Sequence, residues 1–152
     1  MANLYLHDAR TLKGSGSRTS SYCLFMAAEL TLLAALTAEE LPTGSRQTQH
    51  QLGAMIDLLP DENPAKPTFR QVEGLTAYAT TFRYTTPSGR IPPEMSDADF
   101  IAASRKVETL IAACAKWFRV PNLDLKAQEV AGNIRPIRLP APNATPGGGS
   151  WP

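Results

Sequence analysis

Between Thr19 and Ala38 the chain carries one charged side chain, Glu29. Tyr22, Phe25, Met26, Leu30, Leu32, Leu33 and Leu36 recur three and four residues apart in this stretch and fall around nearly the whole circumference of a helix. A helix that is apolar all round cannot face water along a whole side, so it belongs in the middle of a bundle with other helices wrapped around it. This predicts an all-α fold with a central rod from Thr19 or Ser20 to Glu40, stopped by Pro42 and Gly44.

The rest of the first 118 residues supplies the wrapping. A short helix over residues 3–13 runs into Gly14-Ser15-Gly16-Ser17, where a hinge is expected. A third helix starting between Ser45 and Thr48 uses Leu52, Met55, Ile56 and Leu59 as its stripe and ends at Pro60. Asp61-Glu62-Asn63-Pro64 reads as a loop. Thr68 and Gln71 match a capping box and open a fourth helix with Val72, Leu75, Ala79 and Phe82 inward. Ser96, followed by Asp97 and Asp99, starts a fifth. Its stripe is Phe100, Ala103, Val107, Leu110, Ile111, Cys114 and Trp117. The expectation is an up-and-down bundle of about five helices over residues 1–118. An extended tail follows over 119–152, where six of the thirteen prolines lie. Ile134, Ile137, Leu139 and Trp151 suit that tail to a groove of its own domain or of a neighbouring subunit.

At 152 residues, with 43% hydrophobic and 19% charged, the chain can bury one core. Its formal net charge of +1 gives no overall basic field to attract nucleic acid or an anionic membrane. The charge is uneven, however: residues 1–102 hold eight Lys/Arg against eleven Asp/Glu, a net of −3, and residues 103–152 hold seven against three, a net of +4. Cys23 and Cys114 sit in helical runs without a CxxC partner and read as reduced, buried thiols. The N-terminal residues show no apolar leader core, and Leu24 to Leu36 is too short to span a bilayer, so a cytoplasmic protein without a membrane partner is expected.

The order of these pieces resembles the HEPN family (higher-eukaryote and prokaryote nucleotide-binding) over residues 1 to about 118. The resemblance rests on the long central helix with Ala27-Ala28-Glu29, on His50-Gln51-Leu52, and on Leu75-Thr-Ala-Tyr-Ala-Thr-Thr-Phe-Arg83-Tyr84. A Pro-containing loop and a helix opening Ser96-Asp-Ala-Asp99 follow. It implies a helical bundle that often forms homodimers, in a family whose members bind nucleotides, accompany nucleotidyltransferases or cut RNA. Two departures matter. Nucleases of the family carry Arg and His separated by four to six residues, whereas Arg46 and His50 have three between them. Related members place a Lys one turn after the acid, and this chain has Leu33 there.

Five residues are candidate site residues. Glu29, an isolated acid in an apolar helix, must be paired, hydrogen-bonded, neutralised or set in a cleft. Arg83 or Tyr84 is its expected partner, and the three together are the candidate ligand-binding set. Arg83 and Tyr84 would otherwise close the fourth helix, or serve as a phosphate fork with a stacking platform. His50 could act as a general base with Arg46 steadying a phosphate, both on or near one helical turn; the alternative is a surface or interface histidine. Gly14 to Arg18 lacks the Lys of a phosphate-binding loop, and no zinc ligand set or cofactor motif is present in the sequence. The primary expectation is a non-catalytic, homodimeric HEPN-like module that binds a nucleotide, RNA or a nucleotidyltransferase-type protein. The alternatives are a metal-independent ribonuclease using His50 and Arg46, and a purely structural dimeric interaction protein.

Overall fold

The computed structural model describes residues 1–43, 50–79 and 94–119. The chain divides into two units, Met1–Asn122 and Leu123–Pro152, and every described residue lies in the first. The expected tail, with Ile134, Ile137, Leu139 and Trp151, lies outside the described residues, as do Arg46, Phe82, Arg83 and Tyr84. The described residues form an all-α bundle with no strand. Its elements are α1 (Ala2–Gly14), α2 (Thr19–Ala38), α3 (Leu52–Asp57), α4 (Lys66–Arg70), a 3₁₀ segment (Glu73–Tyr78) and α5 (Asp97–Trp117).

The apolar rod is α2, and it lies at the centre. Leu24, Phe25, Ala27, Ala28, Leu32, Ala35 and Leu36 are wholly buried. Neighbours of α2 are α1, α3, α5 and the 3₁₀ segment, with α1 packed most extensively. Ser20, Ala27 and Ala28 are small and wholly buried, which lets a neighbouring helix approach closely. The helix is longer than Leu24 to Leu36, because the small and hydroxyl residues at its ends extend it to 20 residues, about 30 Å. Among the described residues it is the one helix long and apolar enough to cross a membrane, and most of it is buried inside this bundle.

Local chemistry fixes the ends of α1 and α2. After α1, Gly16 adopts φ +74, and Ser17 N–H donates to Leu12 O at 2.9 Å while Gly16 N–H donates to Lys13 O at 3.0 Å. This Schellman turn satisfies the terminal carbonyls and reverses the chain at Gly14 to Ser17, between α1 and α2. After α2 the same pattern recurs, with Leu41 N–H on Leu36 O at 2.9 Å and Glu40 N–H on Thr37 O at 3.1 Å. Here the left-handed residue is Glu40, φ 55, whose Cβ is crowded in that conformation. Glu40→Gly therefore raises stability by about 0.5–1 kcal/mol, the relief of the left-handed penalty less the extra freedom glycine gains when unfolded. A urea midpoint that does not move, at unchanged slope, contradicts this.

Packing of α5 follows the expected register. Ser96 Oγ accepts the Asp99 N–H at 3.1 Å, and Phe100, Val107, Leu110 and Cys114 are buried. Helix α1 crosses it antiparallel: Lys13 Nζ reaches Glu94, Asp97 and the Met95 carbonyl, whereas Arg10 reaches Ser104 Oγ at 3.0 Å and Glu108 at 2.9 Å further along. Lys13 also sits 5.7 Å from the centre of the Phe100 ring. Its hydrogen bond to Asp97 holds the ammonium pKa above its ordinary value.

Three expectations about the middle of the chain need correction. The third helix starts at Leu52, so His50 precedes it in a turn and is not on a helical face. Thr68 and Gln71 form no capping box: α4 already starts at Lys66, with Pro67 in its first turn and Asn63 Oδ1 accepting the Ala65 N–H at 2.9 Å. Pro67 lacks the N–H that would otherwise need satisfying, which favours this earlier start. The continuous fourth helix is also broken, because Val72 leaves helical geometry at φ −113, ψ 0, and a tighter 3₁₀ segment follows. Val72, Leu75 and Ala79 are nevertheless buried as expected.

Candidate functional site: a buried carboxylate holding a half-exposed imidazole

Glu29 and His50, expected in separate roles, meet. His50 Nδ1 lies 2.8 Å from Glu29 Oε1, with the acid side chain 6% exposed and the imidazole 38% exposed. Glu29 is thus the deeply set member of the pair and His50 the one that faces outward. Phe25, one helical turn before Glu29, meets the same imidazole edge-on with ring centroids 6.2 Å apart. Residues four apart share a helix face, so α2 offers the ring an apolar wall and a carboxylate side by side. Tyr22 extends that wall, its ring 6.2 Å from Phe25.

The backbone contributes as much as the side chains. His50 has φ 68, the left-handed region that few residues other than glycine, Asn, Asp and His occupy. This conformation costs roughly 1 kcal/mol and persists where the surroundings over-determine it. They do so from both sides: Glu29 and Phe25 hold the ring, and α3 starts two residues later. The first amide of α3, Leu52 N–H, donates to Thr76 Oγ1 at 3.1 Å, a cap delivered from the 3₁₀ segment 24 residues away. The break after α4 therefore has a structural result, since it brings Thr76 to the start of α3.

A carboxylate only accepts hydrogen bonds, so Nδ1 carries the hydrogen in the charged-acid form and Nε2 is the outer nitrogen. When neutral, Nε2 accepts; as imidazolium it donates. The pair can therefore grip a phosphate oxygen or take a proton from a hydroxyl, with Glu29 fixing ring orientation in either case.

The remaining candidates divide plainly. Arg83 and Tyr84, the expected partners of Glu29, lie outside the described residues, and the observed partner is His50. Arg46 also lies outside them. His7 is exposed on α1. Leu33, one helical turn after Glu29, packs partly buried against the core. Among the described residues no cluster of three or more His, Cys, Asp or Glu could hold a metal ion. Cys23 and Cys114 are free and buried. Burial pushes the Cys114 thiol up to about 12, and burial with nearby Asp8 raises Cys23, so both stay protonated near neutral pH.

Sequence reasoning missed the pairing because no spacing links residues 29 and 50. One signal was available: a lone buried acid needs a partner, and a histidine just before a helix start tolerates a left-handed turn that would aim it inward. Comparison with family models, with curated proteins and with solved structures finds no match to this chain.

Proposed function

We propose that this chain is a non-catalytic HEPN-like helical module that binds RNA, or a nucleotide, through a phosphate at His50. The observation that supports the reading is the Glu29–His50 pair. A buried carboxylate beside an apolar wall holds one imidazole half-exposed, in a backbone conformation that is itself unfavourable. Binding needs only the outer nitrogen, whereas phosphodiester cleavage needs a second positioned group. The resemblance to HEPN proteins supports the same direction, together with a homodimer, a nucleotidyltransferase-type partner and a cytoplasmic location. Arg83 and Tyr84 belong to this proposal as a phosphate fork and a stacking ring.

A fluorescently labelled oligoribonucleotide titrated against the full chain tests it. His50→Asn, which tolerates the left-handed turn but lacks the outer imidazole nitrogen, weakens binding at least tenfold, about 1.4 kcal/mol. Equal affinity of the variant, or no binding by the native chain, removes the reading.

The imidazole oriented by a carboxylate also favours a second reading, a metal-independent ribonuclease in which His50 is the base and Arg46 steadies the phosphate. Incubation of the same RNA with the protein in chelator separates the two. Cleavage that disappears in His50→Asn selects the enzyme, and intact RNA that is bound selects the module.

A further inference from the structure

The stretch after α4 has the residue spacing of an α-helix and a tighter backbone. Val72, Leu75 and Ala79 recur three and four apart and are all buried, yet Glu73–Tyr78 winds as 3₁₀. Six residues is long for that form, whose hydrogen bonds are poorer than those of an α-helix. Gly74 sits within the run, and a Cβ there would meet nothing within 4 Å, so no close approach requires glycine at this place.

What holds the tighter form lies outside the segment. Thr76 Oγ1 accepts the Leu52 N–H at 3.1 Å, at the first residue of α3. At the far end of α3, Arg70 ties Asp57 to Glu73, meeting Glu73 at 3.2 Å. The two contacts bracket α3. Rewinding Glu73–Tyr78 as α-helix turns Thr76 by about 60° and draws it in by about 1.5 Å relative to Glu73, because each residue then advances 100° and 1.5 Å in place of 120° and 2.0 Å. The hydrogen bond to Leu52 does not survive both displacements. Two residues before Leu52 stands His50, whose left-handed turn, φ 68, persists only while its surroundings hold it.

We propose that the 3₁₀ segment is a latch on His50. Wound as 3₁₀, it presents Thr76 to Leu52 and keeps the imidazole on Glu29. Rewound as an α-helix continuous with α4, it withdraws Thr76, frees the Leu52 N–H and releases the ring. Thr76 is thereby a positioning residue, acting on His50 through the backbone of Gln51 and Leu52. The inference rests on the reading of the His50 site above and adds its regulation: a ligand that binds the oriented imidazole favours the latched form by its difference in affinity for the two.

Nuclear magnetic resonance of the full chain, at a pH where the ring is neutral, tests this without a ligand. In the native chain the His50 nitrogens report the Nδ1–H form held by Glu29. Thr76→Val keeps the shape and loses the acceptor; the Leu52 amide then exchanges roughly tenfold faster, and the His50 nitrogens move toward the averaged shifts of free histidine. Thr76→Ser restores both. Gly74→Ala leaves the hydroxyl in place but favours the α-helix, so it moves both signals in the same direction as Thr76→Val. Gly74 is exposed and Thr76 half-buried, so neither change opens the core. If Gly74→Ala leaves Leu52 as protected as before and His50 unmoved, Thr76 is a plain cap and the latch is overturned. An unmoved His50 tautomer in Thr76→Val overturns it equally. If both variants shift His50 but the native chain binds no oligoribonucleotide, the latch stands and the phosphate reading falls. Equal RNA affinity in the native chain and both variants, with His50 unmoved, removes the latch alone.

Discussion

Phe25→Ala destabilises the protein by about 3–5 kcal/mol, the range for deleting a fully buried aromatic side chain from a core that cannot close over the gap. Phe25 is wholly buried on α2, the helix with the most neighbours in the bundle. Helices on several sides of α2 hold the space open, so collapse recovers little of the loss. Since whole-domain stability is typically about 5–15 kcal/mol, a loss of that size removes roughly a fifth of it or more. Phe25→Leu keeps much of the volume and costs about 1–2 kcal/mol. Guanidinium or urea unfolding followed by circular dichroism measures both. If Phe25→Ala loses under about 1 kcal/mol, α2 is not the central rod. The aromatic edge against His50 goes with the ring, so an alanine variant that still folds also loses part of what holds the imidazole.

The parts of the fold legible in the sequence were those governed by one helical period. The all-round apolar pattern of 19–38 placed α2 in the centre; the whole α3 stripe is buried, and of the α5 stripe Phe100, Val107, Leu110 and Cys114 are buried while Ala103, Ile111 and Trp117 pack partly buried against the core. Ser96 with Asp99 identified the start of α5 because a cap is a contact between neighbours in sequence. Thr68 and Gln71 carried a similar local signal and failed. Pro67 and Asn63 favour an earlier start, and the segment beyond is reshaped by Thr76 capping a helix 24 residues back. Contacts of that kind leave no period to read. The same holds for Arg10 on Ser104 and Glu108, which joins the first helix to the last.

The candidate site was half legible for the same reason. Burial of Glu29 follows from its position on an apolar rod, and the rod is local. The identity of its partner depends on how the chain returns after α2, through a left-handed residue whose conformation is set jointly by Glu29, Phe25 and the start of α3. A histidine read as the polar face of a helix becomes, once the helix starts two residues later, the ring that answers a buried charge.

Glu29→Leu separates the two reasons an acid could occupy this place. Holding a carboxylate in a bundle interior carries a desolvation penalty that one hydrogen bond to a half-exposed imidazole only partly offsets. A leucine of similar volume removes the penalty, fills the space and leaves His50 near enough to solvent to be hydrated. Glu29→Leu is therefore expected to keep stability within about 1 kcal/mol of the native chain, or to raise it. Glu29→Ala, which leaves a cavity, costs about 2–3 kcal/mol. Glu29→Gln retains a carbonyl oxygen able to accept from His50 Nδ1 and falls between them. RNA binding should rank differently: at least tenfold weaker in Glu29→Leu, where nothing orients the ring, and closer to native in Glu29→Gln. A protein made more stable and less able to bind would mean that the acid is kept for what it does to His50. A loss of about 3 kcal/mol or more in Glu29→Leu, with RNA affinity intact, would make the pair a structural fastener and remove the phosphate contact assigned to His50.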